Sequence, residues 1–314
     1  MVPSRIAIVT PVFNDWDALQ ILINKLSFAI SNKDIQVKLI AIDDSSTIRN
    51  YPKDLSYLNN IKVEIIRLKN NLGHQRAIAV GLYEVFIRKN YDGVVVMDSD
   101  GEDKVDDILA LINTDNNSIV VAKRSTRSEG LKFLTFYNIY KLIFKILSGK
   151  VIDFGNFCYI PINILEVLIY SPNIWNHLAA SIVKSNFKIK KVSTSRGKRY
   201  CGKSKLNFTG LVLHGLGAMS VFIDLIFTRI IFFLIFFISF IVFLALIVLG
   251  LKLFTQLSTP GWTTTLLGIF STVTLQAIII IVVSAFMVLN TRSTKLFIPA
   301  KDASYFILER MKIN

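Results

Sequence analysis

Two aspartates, Asp98 and Asp100, stand two residues apart directly after a run of apolar β-branched residues. Two carboxylates at this spacing can hold a hard divalent cation, because Mg²⁺ takes one or two protein carboxylates and leaves its other positions to water and phosphate oxygens. Glu102 follows as a candidate third ligand. The spacing therefore predicts a divalent-cation site that can bridge to a diphosphate.

Three further polar clusters come directly after predicted strands. They are residues 10–15 (TPVFND), residues 43–46 (DDSS) and residues 71–77 (NLGHQRA), the last of which opens a helix. Any one of them alone could be no more than a helix cap. Ligand sites in open α/β sheets lie beyond the carboxyl ends of the strands, so the clusters together with the aspartate pair indicate one binding cleft.

Alternating strands and helices must position these clusters. Strand patterns occur at 5–12, 37–44, 63–68, 93–100 and 118–123, and helical patterns lie around 16–31, 74–89 and 103–113. This alternation predicts an α/β fold with a mostly parallel sheet. The sequence lacks a Walker phosphate loop, and no G-x-G-x-x-G follows the first strand. Both absences argue against a P-loop nucleotidase and a Rossmann dehydrogenase.

Two uncharged apolar stretches, Ile230–Leu251 and Leu266–Leu289, follow this part of the chain. Each is long enough to cross a bilayer, which needs about 20 apolar residues. Basic residues flank the pair on its outer sides, with Arg229 before the first stretch and Arg292 and Lys295 after the second. The positive-inside rule then predicts that both outer ends face the cytoplasm.

The expected organisation has three parts. A cytoplasmic domain covers 1–228, a transmembrane hairpin covers 229–290 and a cytoplasmic tail covers 291–314, which together predict a multi-pass protein of the cell inner membrane. Residues 131–149 form a further apolar helix with a narrow polar arc of Asn138, Lys141, Lys145 and Ser148. A basic stripe on a broad apolar face favours a helix in the membrane interface over one packed on the sheet with its lysine tips in water.

The positive charge of the chain is concentrated in its middle. The formal net charge is +14 over 314 residues, and the segment from Lys123 to Lys205 holds 16 basic and three acidic residues. Such a segment suits an anionic lipid, an anionic substrate or a nucleic acid. Nucleic-acid binding is the weaker interpretation, since no recognised nucleic-acid module is present and the basic residues lie among apolar ones beside the predicted spans.

The motifs in this order resemble the family 2 glycosyltransferases with the GT-A fold. Two further segments carry the resemblance, 153–157 (DFGNF) and 196–205 (RGKRYCGKSK), the second of which matches an R-x-x-R-x-x-G-x-S-K pattern at each fixed position. With the C-terminal hairpin, the chain is similar to the polyprenyl-phosphate glycosyltransferases, relatives of dolichol-phosphate mannose synthase. The match extends over most of residues 5–230.

The resemblance implies a role for each matching residue. The base and ribose of a UDP- or GDP-sugar would lie among Pro11, Phe13, Asp15, Asp43, Asp44, Ser45 and Gly73. Asp98 and Asp100, with Glu102, would hold Mg²⁺ or Mn²⁺ on the diphosphate. The acceptor phosphate would meet Arg124, Arg127, Arg196, Arg199, Lys203, Ser204 and Lys205. The chain departs from the family pattern where Asp15 replaces a usual Glu and where Leu206 replaces an aromatic residue.

The implied activity is transfer of a sugar, with inversion, from the nucleotide sugar to polyprenyl phosphate, undecaprenyl phosphate in a bacterium. A phosphate monoester is largely a dianion at neutral pH, so it needs positioning by basic residues more than deprotonation. If the acceptor were a hydroxyl of a saccharide or lipid-linked saccharide, Asp103 or Glu102 would be the candidate base. A noncatalytic membrane scaffold of the same fold is a third possibility, and relatives can form homo-oligomers.

Overall fold

The computed structural model describes residues 3–314 except for 32, 53–54, 56–57, 59, 125–130, 203–207 and 256–258. The chain divides into two compact units. The first comprises Met1–Tyr140, Lys150–Val221 and Leu296–Asn314, and the second comprises Lys141–Gly149 and Phe222–Lys295. The predicted Arg127, Lys203, Ser204 and Lys205 lie outside the described residues.

The first unit is built on one eight-stranded sheet. Its strands are β1 (Arg5–Val12), β2 (Gln36–Asp43), β3 (Ile61–Leu68), β4 (Gly93–Val96), β5 (Ile119–Arg124), β6 (Cys158–Pro161), β7 (Ile189–Thr194) and β8 (Ile307–Lys312). The spatial order is β7-β5-β6-β4-β1-β2-β3-β8. Only β6 and β8 pair antiparallel with their neighbours among these strands. This confirms the predicted α/β fold with a mostly parallel sheet.

Helices cover both faces of the sheet. Those of the first unit are α1 (Trp16–Ile30), α2 (His74–Arg88), α3 (Asp107–Thr114), α5 (Ile162–Leu168), α6 (Leu178–Lys184), α7 (Phe208–Ser220) and α10 (Pro299–Asp302), with α4 (Leu131–Ser148) shared between the units. The central strands are buried on both faces, which explains their continuous apolar runs. Helix α2 packs so closely that a Cβ on Gly81 would collide with Val9.

The parallel register brings the carboxyl ends of six strands (β1, β2, β3, β4, β5 and β7) to one edge of the sheet. Val12 pairs with Asp43, and Val9 pairs with Val96, so the polar segments that follow β1, β2 and β4 start side by side. Strand β4 ends at Val96, earlier than its sequence pattern predicts, and α3 begins at Asp107 rather than 103. The left-handed backbone of Gly101, with φ +90°, lies in the loop between them.

The expected tail at 291–314 is not a tail, which corrects the predicted organisation. Residues 307–312 form β8, which pairs antiparallel with β3 and completes one edge of the sheet. Arg310 of β8 reaches the fully buried Glu84, with its Nη2 2.7 Å from the carboxylate. A six-residue edge strand is too short to show a clear periodicity, so its partner is set by contacts distant in sequence.

The second unit contains two helices of 32 residues each, α8 (Ile223–Phe254) and α9 (Trp262–Ser293). At 1.5 Å per residue each is about 48 Å long, more than the ~30 Å hydrocarbon core of a bilayer. Large apolar side chains are exposed along both helices, among them Phe236 and Phe286. By length and composition both are candidate membrane spans. They extend beyond the uncharged stretches that predicted them.

Candidate active site

The aspartate pair lies in the loop after β4, at the carboxyl edge of the sheet. The backbone N–H of Asp98 donates to Asp103 at 3.0 Å, and Asp100 accepts from the backbone N–H of Glu102 at 2.9 Å. Partial burial and the neighbouring charge of Asp98 raise the pKa of Asp100. A divalent cation would relieve this repulsion, so the two carboxylates fit the predicted metal.

The carboxylate of Glu102, the predicted third metal ligand, pairs with arginines. Its carboxylate forms a two-pronged pair with Arg196, with Nε at 3.0 Å and Nη2 at 2.8 Å, and Arg124 lies 3.7 Å away. Among the described residues, no group of three His, Cys, Asp or Glu side chains is arranged to hold a metal ion. Arginines occupy the oxygens of Glu102 in this structure, and its role as a third ligand stays a prediction.

The segment 195–200 lies along the aspartate loop and brings two predicted arginines to it. The N–H groups of Gly197 and Tyr200 donate to the carbonyls of Glu102 and Asp100, at 2.8 and 2.7 Å. The backbones approach so closely at Gly197 that a Cβ there would strike the carbonyl oxygen of Gly101. We call residues 195–200 the arginine strap. It carries Arg199, which lies 2.8 Å from Asp100 and 3.6 Å from Asp15.

Arg124, the last residue of β5, points at the same acidic loop. Its Nη2 donates to Asp103 Oδ1 at 3.2 Å. Burial, together with the charge of Asp98, raises the pKa of Asp103 to about 7 despite this contact. The structure therefore gathers Arg124, Arg196 and Arg199 around one acidic cluster.

The residues predicted for the nucleotide occupy the ends of β1 and β2. Phe13 is 40% exposed, so its ring is open to a ligand, whereas Pro11 is buried and Asp15 is half-buried. Ser45 has a left-handed backbone with φ 59°. Non-glycine residues in this region are strained and cluster at functional sites, which supports a ligand-facing turn.

The two aspartates after β2 are buried. Asp43 is fully buried, and its oxygens accept from the N–H of Ser46 at 2.7 Å and the hydroxyl of Tyr51 at 3.1 Å. Asp44 accepts from the N–H groups of Leu72 and Gly73 at 2.7 and 2.9 Å.

These contacts give the two aspartates different structural roles. Asp44 fixes the loop before α2. The backbone at position 73 in this loop has φ +88°, a conformation that favours glycine. Asp43 is fully buried with the Tyr51 hydroxyl on one of its oxygens, so a ligand would contact it only after a local rearrangement.

Residues 7–165 match the sequence profile of Glycosyl transferase family 2. That match covers half of the chain. The chain belongs to glycosyl transferase family 2. Together with the mostly parallel sheet, this membership confirms the predicted GT-A fold.

Curated relatives of this family 2 transferase include two with informative names. One is the prophage bactoprenol glucosyl transferase homolog of Escherichia coli (strain K12), 28% identical over 69% of this chain and 73% of the relative. Another is the undecaprenyl-phosphate 4-deoxy-4-formamido-L-arabinose transferase of Photorhabdus laumondii, 22% identical over 67% of this chain and 65% of the relative. The aligned part spans 62% of the length of one relative and 47% of that of another.

A solved structure with a similar chain is the glucosyl-3-phosphoglycerate synthase of Mycobacterium tuberculosis, in complex with Mn²⁺, UDP-glucose and phosphoglyceric acid. It is 12% identical, with a TM-score of 0.49 over 71% of this chain and 79% of that one.

The sequence places His74 at the start of a helix beside the predicted cleft, where contact with phosphate, capping and packing are all open to it. It places His177 and His214 in apolar-rich segments, which predicts ordinary packed histidines. His74 Nε2 is 2.9 Å from Asp98 Oδ1. Partial burial disfavours its charge, but the charge and hydrogen bond of Asp98 outweigh this, and the pKa of His74 is raised. His177 and His214, expected as ordinary packed histidines, instead form a pair with their Nε2 atoms 3.1 Å apart. The position of His74 at the start of α2 was the one available signal.

Proposed function

We propose that this transferase moves a sugar from a UDP- or GDP-sugar to polyprenyl phosphate, with undecaprenyl phosphate as the bacterial acceptor. The observation that carries the proposal is the contact between the arginine strap and the aspartate loop. Carboxylates suited to a metal–diphosphate and arginines suited to a phosphate monoester meet at one edge of the sheet. An enzyme that transfers a sugar between two phosphorylated substrates needs the donor site and the acceptor site side by side.

On the donor side, Asp98 and Asp100 would hold Mg²⁺ or Mn²⁺. When bound, the ion stabilises the negative charge of the leaving nucleoside diphosphate. The ring of Phe13 offers an apolar surface to the base, and Pro11, Asp15 and the turn at Ser45 form its surroundings. Asp43 would contact the nucleotide after a local rearrangement.

On the acceptor side, a phosphate monoester brings its own nucleophile. Its second pKa lies near 6, so the oxygen that attacks the anomeric carbon is already unprotonated at neutral pH. Arg124, Arg196 and Arg199 position and partly neutralise this dianion by charge-assisted hydrogen bonds. Direct displacement at the anomeric carbon inverts its configuration, and no base is required.

Chain connectivity supports the proposed membrane arrangement. The chain leaves the first unit at Val221 and re-enters it at Leu296, with both candidate spans between. If both helices cross the bilayer, their outer ends must lie on the same side, because β8 belongs to the same sheet as β1. The basic residues at those ends favour the cytoplasm. We therefore propose a multi-pass inner-membrane protein whose catalytic domain is cytoplasmic.

One observation favours a second candidate, transfer to a saccharide hydroxyl. A hydroxyl acceptor needs a general base whose pKa lies near the working pH. Burial beside Asp98 raises the pKa of Asp103 to about 7, which suits that task. However, the oxygens of Asp103 already accept from Asp98 and Arg124, which favours the first candidate.

A donor and acceptor screen tests the proposal. The purified full chain in detergent is incubated with Mg²⁺ or Mn²⁺, labelled nucleotide sugars and polyprenyl phosphate, polyprenol or a lipid-linked saccharide. We expect an organic-extractable labelled product with the phosphate and none with polyprenol, and the anomeric configuration inverted. Product with the saccharide alone would favour the second candidate, and no product with any donor would refute transferase activity.

A further inference from the structure

The hydrogen bond between His177 and His214 determines which ring nitrogen of each histidine carries the proton. His177 is buried and caps the N-terminus of α6, where its Nδ1 accepts the N–H of Ala180 at 3.2 Å. Its other ring nitrogen, Nε2, lies 3.1 Å from Nε2 of His214 on α7. The two rings therefore form one hydrogen-bonded chain that begins at a backbone amide.

The backbone amide determines both tautomers. An N–H can only donate, so Nδ1 of His177 is unprotonated and the proton of His177 is on Nε2. This Nε2–H donates to His214, whose Nε2 must then be the acceptor. A histidine that accepts at Nε2 carries its proton on Nδ1. His214 is thereby held neutral, with Nδ1–H as a hydrogen-bond donor, and burial lowers the pKa of His177 in keeping with its neutral form.

That donor has no partner within the described part of the chain. Solvent reaches the His214 side chain, whereas His177 is 5% exposed. The groups that act electrostatically on His214 are His177, His74 and Asp98, the first aspartate of the metal pair. Tyr140 donates its hydroxyl to the carbonyl of Gly215 at 3.0 Å. This contact holds α7 in place at the residue that follows His214. Leu178, the residue after His177, donates its N–H to Gln75 at 2.8 Å, and Gln75 follows His74, which contacts Asp98. This contact connects the histidine pair to the loop that carries the aspartate pair.

The place of α7 in the chain indicates which substrate meets this donor. Helix α7 follows the arginine strap and ends at Ser220, directly before the first candidate span at Ile223. The proposed nucleotide contacts come instead from the ends of β1 and β2. A neutral donor suits an anionic oxygen, since hydrogen bonds to charged groups are stronger than neutral ones.

We propose that His214 donates its Nδ1–H to the phosphate of the lipid acceptor and that His177 is the positioning residue that keeps it in this tautomer. This inference rests on the proposed acceptor class. The proposed contact is directional and adds to those of the arginines. Because His214 is neutral, it does not attract the carboxylates of the aspartate loop as the arginines do. His214 thereby distinguishes a phosphate headgroup from a hydroxyl by geometry as well as by charge.

Two substitutions of His214 separate its hydrogen bond from its shape. His214→Phe keeps an aromatic ring and removes the donor. His214→Asn keeps an amide N–H close to the position of Nδ1, and is the matched control. We expect His214→Phe to raise the KM for polyprenyl phosphate about tenfold, with kcat and the KM for the nucleotide sugar little changed, and His214→Asn to restore most of the loss.

Direct binding to the full chain in detergent makes the result independent of turnover. Affinity is measured for polyprenyl phosphate and for polyprenol of the same chain length. His214→Phe should weaken phosphate binding about tenfold and leave polyprenol binding unchanged. Equal weakening of both ligands, no weakening, or a rise in the donor KM instead would overturn the inference.

The two proposals fail in different ways. If the wild-type chain makes no lipid-linked product, the proposed transfer to lipid phosphate is refuted, and the binding comparison still decides the role of His214. If the wild-type chain makes the product and His214→Phe binds and uses the lipid phosphate as well as wild type does, the transfer stands and the role of His214 is refuted.

Discussion

The guanidinium of Arg199 lies 2.8 Å from the carboxylate of Asp100, so an arginine assigned to the acceptor holds a carboxylate assigned to the metal. Both side chains are less than a quarter exposed, at 23% and 14%. A cation bound at Asp100 would compete with Arg199 for this carboxylate. Arg199, released from Asp100, would then be available to a phosphate. Under the proposed assignments this contact would link the donor and acceptor halves of the site.

Removal of Arg199 should strengthen metal binding. In Arg199→Gln the positive charge next to Asp100 is lost, and we expect the affinity for Mn²⁺ without nucleotide to rise about fivefold, as about 1 kcal/mol of ion pairing is removed. Electron paramagnetic resonance of free Mn²⁺ measures this directly. Transfer to polyprenyl phosphate should fall at the same time.

The neighbouring Arg196 provides the control. Arg196 pairs with Glu102 rather than with Asp100. Arg196→Gln removes the same charge from the arginine strap, and we expect a smaller change in Mn²⁺ affinity. Equal gains in both variants would mean that net charge, rather than the contact with Asp100, controls the metal.

Asp100→Asn should abolish most of the transfer and leave the fold intact. Loss of a carboxylate that holds the cation removes charge stabilisation from the leaving diphosphate, and a decrease in kcat of at least about 100-fold is expected. The unfolding temperature should not fall, because burial and Asp98 already disfavour the charged form of Asp100. Asp106→Asn, in the same loop, is the control. Unchanged turnover in Asp100→Asn would refute the metal assignment.

The edge of the sheet that carries the site could be predicted, because the carboxyl ends of parallel strands lie at the same edge. Once β1, β2 and β4 are recognised as parallel strands, the segments at Asp15, Asp44 and Asp98 must start at the same edge. The two long apolar helices were equally predictable from length and composition. These features depend on local patterns of residues, which a single sequence contains.

The finer arrangement depends on contacts that sequence spacing does not determine. Asp44 and Glu102 are carboxylates at strand ends like Asp98, yet one binds backbone amides and the other binds arginines. Which partner each finds depends on residues 28 and 94 positions away. The pairing of His177 with His214 is of the same kind, since 37 residues separate them.

The stability of the first unit should fall in mild acid because of His177. Burial lowers its pKa to about 3, below the ordinary 6.5. Between these pH values the unfolded chain binds a proton that the folded chain does not, so stability rises with pH across this window. From pH 7.0 to 5.5 we expect a loss of about 1 kcal/mol. Urea unfolding followed by tryptophan fluorescence measures it, with Trp175 two residues away.

A variant without the titrating ring isolates this effect. Asn is a good N-cap residue and accepts a backbone N–H without titrating, so His177→Asn preserves the cap of α6. The decrease between pH 7.0 and 5.5 should shrink by about 1 kcal/mol in this variant. The same decrease in both proteins would assign the acid sensitivity to other groups.

Arg310 should hold the edge strand β8 in place. Glu84 is fully buried and pairs with Arg88 and Arg310, each with a nitrogen 2.7 Å from its carboxylate. Arg310→Gln leaves this buried charge with one partner. Loss of one partner of a buried charge is costly, but Arg88 remains and Arg310 is 44% exposed, so we expect a local cost of about 1–2 kcal/mol.

Hydrogen exchange localises that cost. Amides of β8 and of the paired edge of β3 should exchange about 5–30 times faster in Arg310→Gln than in wild type, because exchange reports the free energy of local opening. Lys312→Gln removes the same charge from an exposed position on the same strand and should leave the rates unchanged. Acceleration in both variants would point to net charge, and acceleration in neither would show that Arg88 alone stabilises Glu84.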